Sequence, residues 1–274
     1  MTRYRGRIAP TPTGFLHLGH ARTFSLAAQR CAEAGGTLVL RIEDIDRARC
    51  KKEFADAAIE DLHRLGIRWQ EGPDIGGAFA PYVQSENFPY FFKIWERLKN
   101  AGAIYPCRRS RKDVAAAATA PHAEDEDTEP LFPTEWRPAP DAGRAFSEPG
   151  DYNWRFRVPD GERVSFVDEI CGEQSFVAGK DFGDFVVWRR DGVPAYELAV
   201  VADDIRMKIT EVVRGEDLLK STARQILLYR ALGAETPAWA HAPLVRDENG
   251  RRLAKRSAAL SLRALWASGT PFPI

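Results

Sequence analysis

The chain has 274 residues, and its 39 Lys plus Arg balance 39 Asp plus Glu, so the formal net charge is zero. Hydrophobic residues make up 44% and charged residues 28%, which supports a buried core and argues against a disordered chain. Zero net charge gives no hint of a nucleic-acid partner, which would need a local basic face.

In chain order, Gly6 to Ala9 read as a short strand that stops at Pro10-Thr11-Pro12-Thr13-Gly14, a cluster that can continue neither ladder nor helix. Leu18, Ala21, Phe24, Ala28 and Cys31 then recur at helical spacing up to Gly35-Gly36. Thr37 to Ile42 has the near-continuous apolar character of a parallel strand covered on both faces. Phe54, Ala57, Ala58, Leu62 and Leu65 mark a second amphipathic helix, closed by Gly66, and Phe88 to Ala101 a third. The alternation of strand and helix predicts an α/β doubly wound parallel sheet. After Tyr105-Pro106-Cys107 the character changes. Residues 112–150 hold an alanine run, the acidic run Glu124 to Asp127 and many prolines, and read as poorly suited to regular structure, with a mobile loop. Trp154 to Val158 and Phe185 to Arg190 read as strands, with turns at Asp160-Gly161 and Asp191-Gly192. Tyr196 to Asp204 reads as helix, Ile209 to Val213 as strand, and Ser221 to Leu232 as a periodic helix closed by Gly233. The expected organisation is a split catalytic domain, 1–68 and 191–257, interrupted by a smaller α+β subdomain over 69–190. A short remnant covers 258–274.

No apolar run approaches the roughly 18 residues of a membrane span, and the N-terminus lacks a signal-peptide core. The four cysteines, Cys31, Cys50, Cys107 and Cys171, are far apart and form no CxxC pair, so a reducing, cytoplasmic setting is expected rather than a disulfide framework.

Two segments carry candidate chemistry. His17-Leu18-Gly19-His20 stands where a loop hands over to a helix. A helix N-terminus offers unpaired N–H groups and a positive dipole end, histidines there can donate to phosphate oxygens, and the glycine lets a nucleotide approach the backbone. Arg251 to Ser257 is a basic loop that could close over phosphates. Each alone is equally compatible with a structural pair of histidines or an exposed basic loop.

Order and context add meaning. Arg7-Ile8-Ala9-Pro10-Thr11-Pro12-Thr13-Gly14, HLGH, Arg41-Ile42-Glu43-Asp44-Ile45-Asp46, Tyr196-Glu197-Leu198-Ala199, Val201-Ala202-Asp203-Asp204, Val212-Val213-Arg214-Gly215 and the late basic loop together resemble the class I glutamyl/glutaminyl-tRNA synthetases. HLGH looks like their HIGH signature, and Arg252-Leu253-Ala254-Lys255-Arg256 like a degenerate KMSKS signature. The resemblance implies a Rossmann-like catalytic fold and a ligase that uses ATP with Mg²⁺. It assigns Arg7, Thr11, Glu43, Tyr196 and Arg214 to glutamate. Pro10, His17, Gly19, His20, Arg252 and Lys255 go to ATP, with His17, His20 and Lys255 as the catalytic group. The insertion is then an acceptor-type subdomain and 258–274 a stem-contact remnant. The length, and Val200 where asparagine is usual, are similar to short paralogues of glutamyl-tRNA synthetase without an anticodon-binding domain. That implies glutamate transfer to the queuosine base of tRNA(Asp) by a monomer. The other readings kept open are a catalytic fragment of an ordinary glutamyl-tRNA synthetase, a different HxGH nucleotidyltransferase, and a synthetase-like binding module.

Where the family often holds zinc through Cys-x-Cys and a later Tyr-x3-Cys, Cys107 is followed by Arg108-Arg109 and the later segment reads Phe132 to Trp136. One cysteine cannot close a tetrahedral site, so no structural zinc is expected there. No residue is expected to bind Mg²⁺ on its own, and Asp44 and Asp46 read as structural carboxylates.

Overall fold

The computed structural model describes residues 3–117, 130–244 and 261–269. Strand β1 (Arg5–Ile8) pairs in parallel with β2 (Thr37–Leu40), and helix α1 (Leu18–Glu33) crosses between them. Helix α2 (Lys52–Arg64) follows β2, then α3 (Phe88–Asn100), β3 (Ile104–Cys107) and the short α4 (Arg111–Ala117). Next come β4 (Asn153–Phe156), β5 (Arg163–Asp168), β6 (Gly172–Val177) and β7 (Phe185–Trp188). The chain continues through α5 (Tyr196–Arg206), β8 (Glu211–Gly215), α6 (Leu219–Ala231), β9 (Ala238–Ala242) and α7 (Leu262–Ala267).

Strands β8 and β9 form a second parallel pair. It lies flush with the first, because the Thr210 N–H donates to the Arg5 carbonyl at 2.9 Å and Arg7 Nη1 donates to the Val213 carbonyl at 3.0 Å. Across the sheet the strands therefore run β2, β1, β8, β9. Chain direction through the sheet reverses at the β1–β8 boundary, the switch point where open α/β sheets bind ligands.

The apolar alternation shows why the sheet is covered twice. Leu38 and Leu40 enter one core with Ile8, Phe24, Ala58 and Leu62, whereas Val39 between them enters the other with α3, α5 and α6 residues. Val213 and Ala240 join the first core, and their neighbours Val212 and Trp239 the second. Successive residues of a strand face opposite sides, so continuous apolar runs are buried on both faces.

The middle of the chain builds a separate antiparallel sheet in the order β3-β4-β7. Its packing rests on Trp95 and Trp154, whose rings meet edge to face at 4.8 Å. The β5–β6 hairpin does not belong to that sheet. It extends the parallel one, with Asp168 opposite Trp239 of β9. Within the stretch read as irregular, Arg111–Ala117 is helical, started by Ser110 and Asp113, which exchange hydrogen bonds with each other's backbone N–H. Residues 118–129, with the acidic run, lie outside the described residues.

Candidate active site

A cavity of about 640 Å³ opens beyond the carboxyl ends of β1, β8 and β9. Its lining includes Arg7, Pro10, Thr11, His17, Gly19, His20, Glu43, Tyr196 and Arg214, so nine residues assigned from the sequence converge there. Arg252 and Lys255 lie outside the described residues. The residues flanking their segment sit at the site: Leu244 lines the cavity, and Ser261 pairs with His17 in an antiparallel bridge.

The HLGH segment is shaped by its own backbone. His17 caps α1 in an extended conformation, its Nδ1 accepting the Gly19 N–H at 3.1 Å, while His20 Nδ1 accepts the His17 N–H at 3.2 Å. The two imidazoles stack with centroids 3.7 Å apart. A ring nitrogen that accepts from an amide carries no proton, so each neutral imidazole holds its hydrogen on Nε2 and is a donor there. A Cβ on residue 19 would stand 3.0 Å from the His17 ring, which is why glycine fits between the histidines.

Glu43 is fixed just past β2, where its N–H donates to the Pro10 carbonyl at 3.0 Å. Its Oε1 accepts two hydrogen bonds from Arg41, at 3.2 and 2.9 Å. Arg41 is fully buried and also donates to Asp204 at 2.6 Å. Burial raises the Glu43 carboxyl above its ordinary value, opposed by Arg41 and Arg7, so a cation arriving at the carboxylate would favour its ionised form. Asp44 is occupied elsewhere, accepting both the backbone N–H and the hydroxyl of Ser85, and Asp46 pairs with Arg49.

Arg7 and Arg214 are both nearly buried, yet they are held differently from Arg41. Arg7 donates through Nη1 to Val213, and its Nε lies 3.6 Å from Asp204 without a hydrogen-bond partner among the described residues. A buried guanidinium nitrogen left unpaired costs about 1–3 kcal/mol or more, a cost that an anionic ligand can remove. Arg214 donates to His241, Gln225, Thr222 and the Leu218 carbonyl. Tyr196 lines the cavity and is 42% exposed. Its enclosure pushes the phenol up to about 12, helped by Glu43 and Glu197 and opposed by Arg214 and Arg7, so the hydroxyl stays a donor at neutral pH.

The sequence reading did not pick out Thr23, Phe24, Asp217, Leu218, Pro243 and Leu244, which also line the cavity, or the buried Asp168, Thr222, Gln225 and His241 beneath Arg214. Asp217 stands two residues after Gly215. A Cβ at Gly215 would meet its Oδ1 at 2.5 Å, so a larger residue there would push the Asp217 carboxylate aside.

Cys107 packs with Tyr105, Val114 and Phe132 in a small apolar cluster, and its Sγ accepts the Arg109 N–H at 3.4 Å. Among the described residues no three His, Cys, Asp or Glu side chains gather as metal ligands.

The geometry is that of a class I synthetase catalytic site: a parallel sheet, a histidine-capped helix at its carboxyl edge, and a pocket of mixed charge. The family model for class I tRNA synthetases (E and Q), catalytic domain, matches residues 3–273, and the chain belongs to that family. It is 50% identical over 97% of its length to the glutamyl-Q tRNA(Asp) synthetase of Symbiobacterium thermophilum, covering 82% of that protein. It is 45% identical to the protein of the same name from Nitratidesulfovibrio vulgaris, with the same coverage of each chain. The structure is similar to a glutamate tRNA ligase from Elizabethkingia meningosepticum solved with its amino acid, with a TM-score of 0.80 at 31% identity. That match covers all of this chain and 55% of the ligase, so the chain spans about half of that protein's length. The Rossmann-like α/β class expected from the sequence is the class these relatives share. The enzyme is a ligase of the synthetase type.

Proposed function

We propose that the chain activates L-glutamate with ATP and transfers the glutamyl group to the queuosine base of tRNA(Asp). The observation that carries this reading is the charge order of one cavity, in which two buried guanidiniums, Arg7 and Arg214, stand with a carboxylate, Glu43, beside a histidine-capped helix N-terminus. An acidic amino acid matches that order. Its side-chain carboxylate would be held by charge-assisted hydrogen bonds from Arg7 and from the second Nη1–H of Arg214, which its four internal partners leave open. The ammonium would lie against Glu43, with Tyr196 and Thr11 as neutral partners.

Held so, an α-carboxylate oxygen attacks the α-phosphorus of ATP. A P–O bond forms, the bond to pyrophosphate breaks, and glutamyl-adenylate results. No protein nucleophile is needed. The residues position the reactants and receive charge as it builds. The Nε2–H groups of His17 and His20 and the N-terminal amides of α1 are the donors for phosphate oxygens. Arg252 and Lys255 are assigned to the same phosphates. Mg²⁺ accompanying ATP would neutralise part of that charge, with phosphates and water supplying its coordination. In the second step the acceptor on the tRNA attacks the acyl carbon and AMP leaves.

The organisation that fits this reading is a catalytic unit of 1–68 and 191–257, an inserted acceptor-type subdomain of 69–190 whose β5–β6 hairpin joins the catalytic sheet, and a stem-contact segment of 258–274. The chain would work as a monomer in the cytoplasm, where its four thiols stay reduced. The reading is supported by the two relatives named glutamyl-Q tRNA(Asp) synthetase and by Val200, wholly buried where glutamyl-tRNA synthetases usually carry asparagine.

Labelled glutamate offered with tRNA(Asp), with and without queuosine, tests it. Label is expected only on the modified tRNA. Charging of tRNA(Glu) instead would replace the acceptor, and absence of any glutamyl-adenylate would overturn the reading as a whole.

A further inference from the structure

Arg214 is buried, and among the described residues each of its hydrogen-bond partners is electrically neutral: an imidazole, an amide, a hydroxyl and a backbone carbonyl. The nearest carboxylates in that network stand one side chain further out. On one side, Arg214 Nε donates to His241 Nε2 at 3.1 Å, and His241 Nδ1 meets Asp168 Oδ2 at 2.6 Å. On the other, Nη1 donates to Gln225 Oε1 at 2.8 Å, and Gln225 Nε2 donates to Glu197 at 2.8 Å.

Bonding rules fix the proton positions. Arginine has no acceptor, so His241 Nε2 must present it a lone pair, and the Thr222 hydroxyl, 3.1 Å from the same nitrogen, either donates to it or turns its hydrogen to the Leu218 carbonyl at 3.2 Å. A neutral imidazole then carries its hydrogen on Nδ1 and must give it to Asp168. Burial and the Arg214 charge push His241 down to about 4, so the ring is neutral at physiological pH. Asp168 is held from behind. Its Oδ1 accepts the backbone N–H of Ile170 at 3.1 Å, Cys171 at 2.8 Å and His241 at 3.1 Å. These donors also tie the β5 end to β9.

We propose that Asp168 and His241 are positioning residues that lock Arg214 for a substrate carboxylate, the imidazole filling its Nε site while the balancing charge stays one ring away. A carboxylate in the place of His241 would occupy the guanidinium itself. A neutral spacer fixes its orientation and leaves its charge for the ligand. Gln225 plays the matching part toward Glu197. The proposal rests on the assignment of Arg214 to glutamate.

An isosteric change tests it. In Asp168→Asn the three backbone donors hold the side-chain oxygen, so the new NH₂ must face His241 Nδ1. The ring is then forced to carry its hydrogen on Nε2, donor against the Arg214 Nε–H. The expected result, read by ATP–pyrophosphate exchange, is a rise in KM for glutamate of roughly tenfold to a hundredfold, with KM for ATP unchanged. Ring ¹⁵N spectra should show the Nδ1–H tautomer of His241 in the unaltered protein and the Nε2–H tautomer in the variant. A flipped ring with unchanged KM for glutamate overturns the proposal. So does an Nε2–H tautomer in the unaltered protein, a measurement that decides even if the variant does not fold. Arg214→Ala separates the two layers. If it leaves KM for glutamate unchanged, the assignment of Arg214 is wrong. If it removes glutamate use and Asp168→Asn does not, only the relay is wrong.

Discussion

Two arginine clusters show how differently the same side chain can be used. In the middle of the chain, Arg137 donates twice to Asp184, at 2.7 Å each, and also bonds both oxygens of Asp160. The Asp184 carboxylate further accepts the Tyr105 hydroxyl and the Val158 N–H. That guanidinium is saturated by carboxylates and fastens the short helical turn Thr134–Trp136 to the ends of β4 and β7. Arg214, at the carboxyl end of β8, hydrogen-bonds to neutral partners among the described residues. A cation hydrogen-bonded to carboxylates is spent on structure, whereas one whose anions are set back is available for a charged ligand.

The comparison can be broken by exchanging the two roles experimentally. Arg214→Ala should lower glutamate-dependent ATP–pyrophosphate exchange by roughly a hundredfold or more, because it removes a charged donor made for the substrate. The protein should stay folded, as checked by circular dichroism. Arg137→Ala should do the reverse. It strands a buried Asp184, so stability to urea should fall by about 3 kcal/mol while exchange per folded molecule is preserved. Equal effects of the two changes on exchange would remove the distinction.

A smaller effect sharpens it. His241 is held near 4 by burial and by Arg214, against an ordinary value of 6.5. Between those values the unfolded chain binds the proton and the folded one does not, so stability rises with pH through this window. The contribution is fully present above about pH 6.5 and is lost as pH falls toward 4, amounting to about 2–3 kcal/mol. The low value of Asp168 acts in the same direction: burial opposes its charge, but the hydrogen bonds from His241 and the backbone outweigh it. In urea titrations from pH 7 to pH 4, His241→Gln should flatten the slope. An unchanged slope would mean that His241 is not the buried neutral base.

Much of the framework was legible because it is written in apolar periodicity and punctuation. The Thr37–Leu40 run, the stripe of α1 and the glycines after α1, α2 and α6 all mark elements within a few residues. The strands that escaped notice lack that signal. β9 reads Ala238-Trp239-Ala240-His241-Ala242, in which three alanines give little strand character, and its burial comes from neighbours distant in sequence. β5 alternates, but it was read within an insertion and not as part of the main sheet. β3 contains a proline, which weakens the strand signal and sits at the register position opposite Trp154.

The site divides in the same way. Groups that line the cavity lie in contiguous motifs and could be named, as with His17, His20, Glu43 and Arg214. The groups behind them come from separate elements: Asp168 from β5, Gln225 from α6 and His241 from β9. Only tertiary packing unites them. One local sign was present, since Thr222 and Gln225 are polar positions on a helix whose surroundings are otherwise apolar, and both are buried.

The most direct measurement is a crystal structure of the protein with L-glutamate bound. The side-chain carboxylate is expected within hydrogen-bonding distance of both Arg7 and Arg214, with the ammonium on Glu43. Glutamate seated with its side-chain carboxylate away from both guanidiniums would contradict the account.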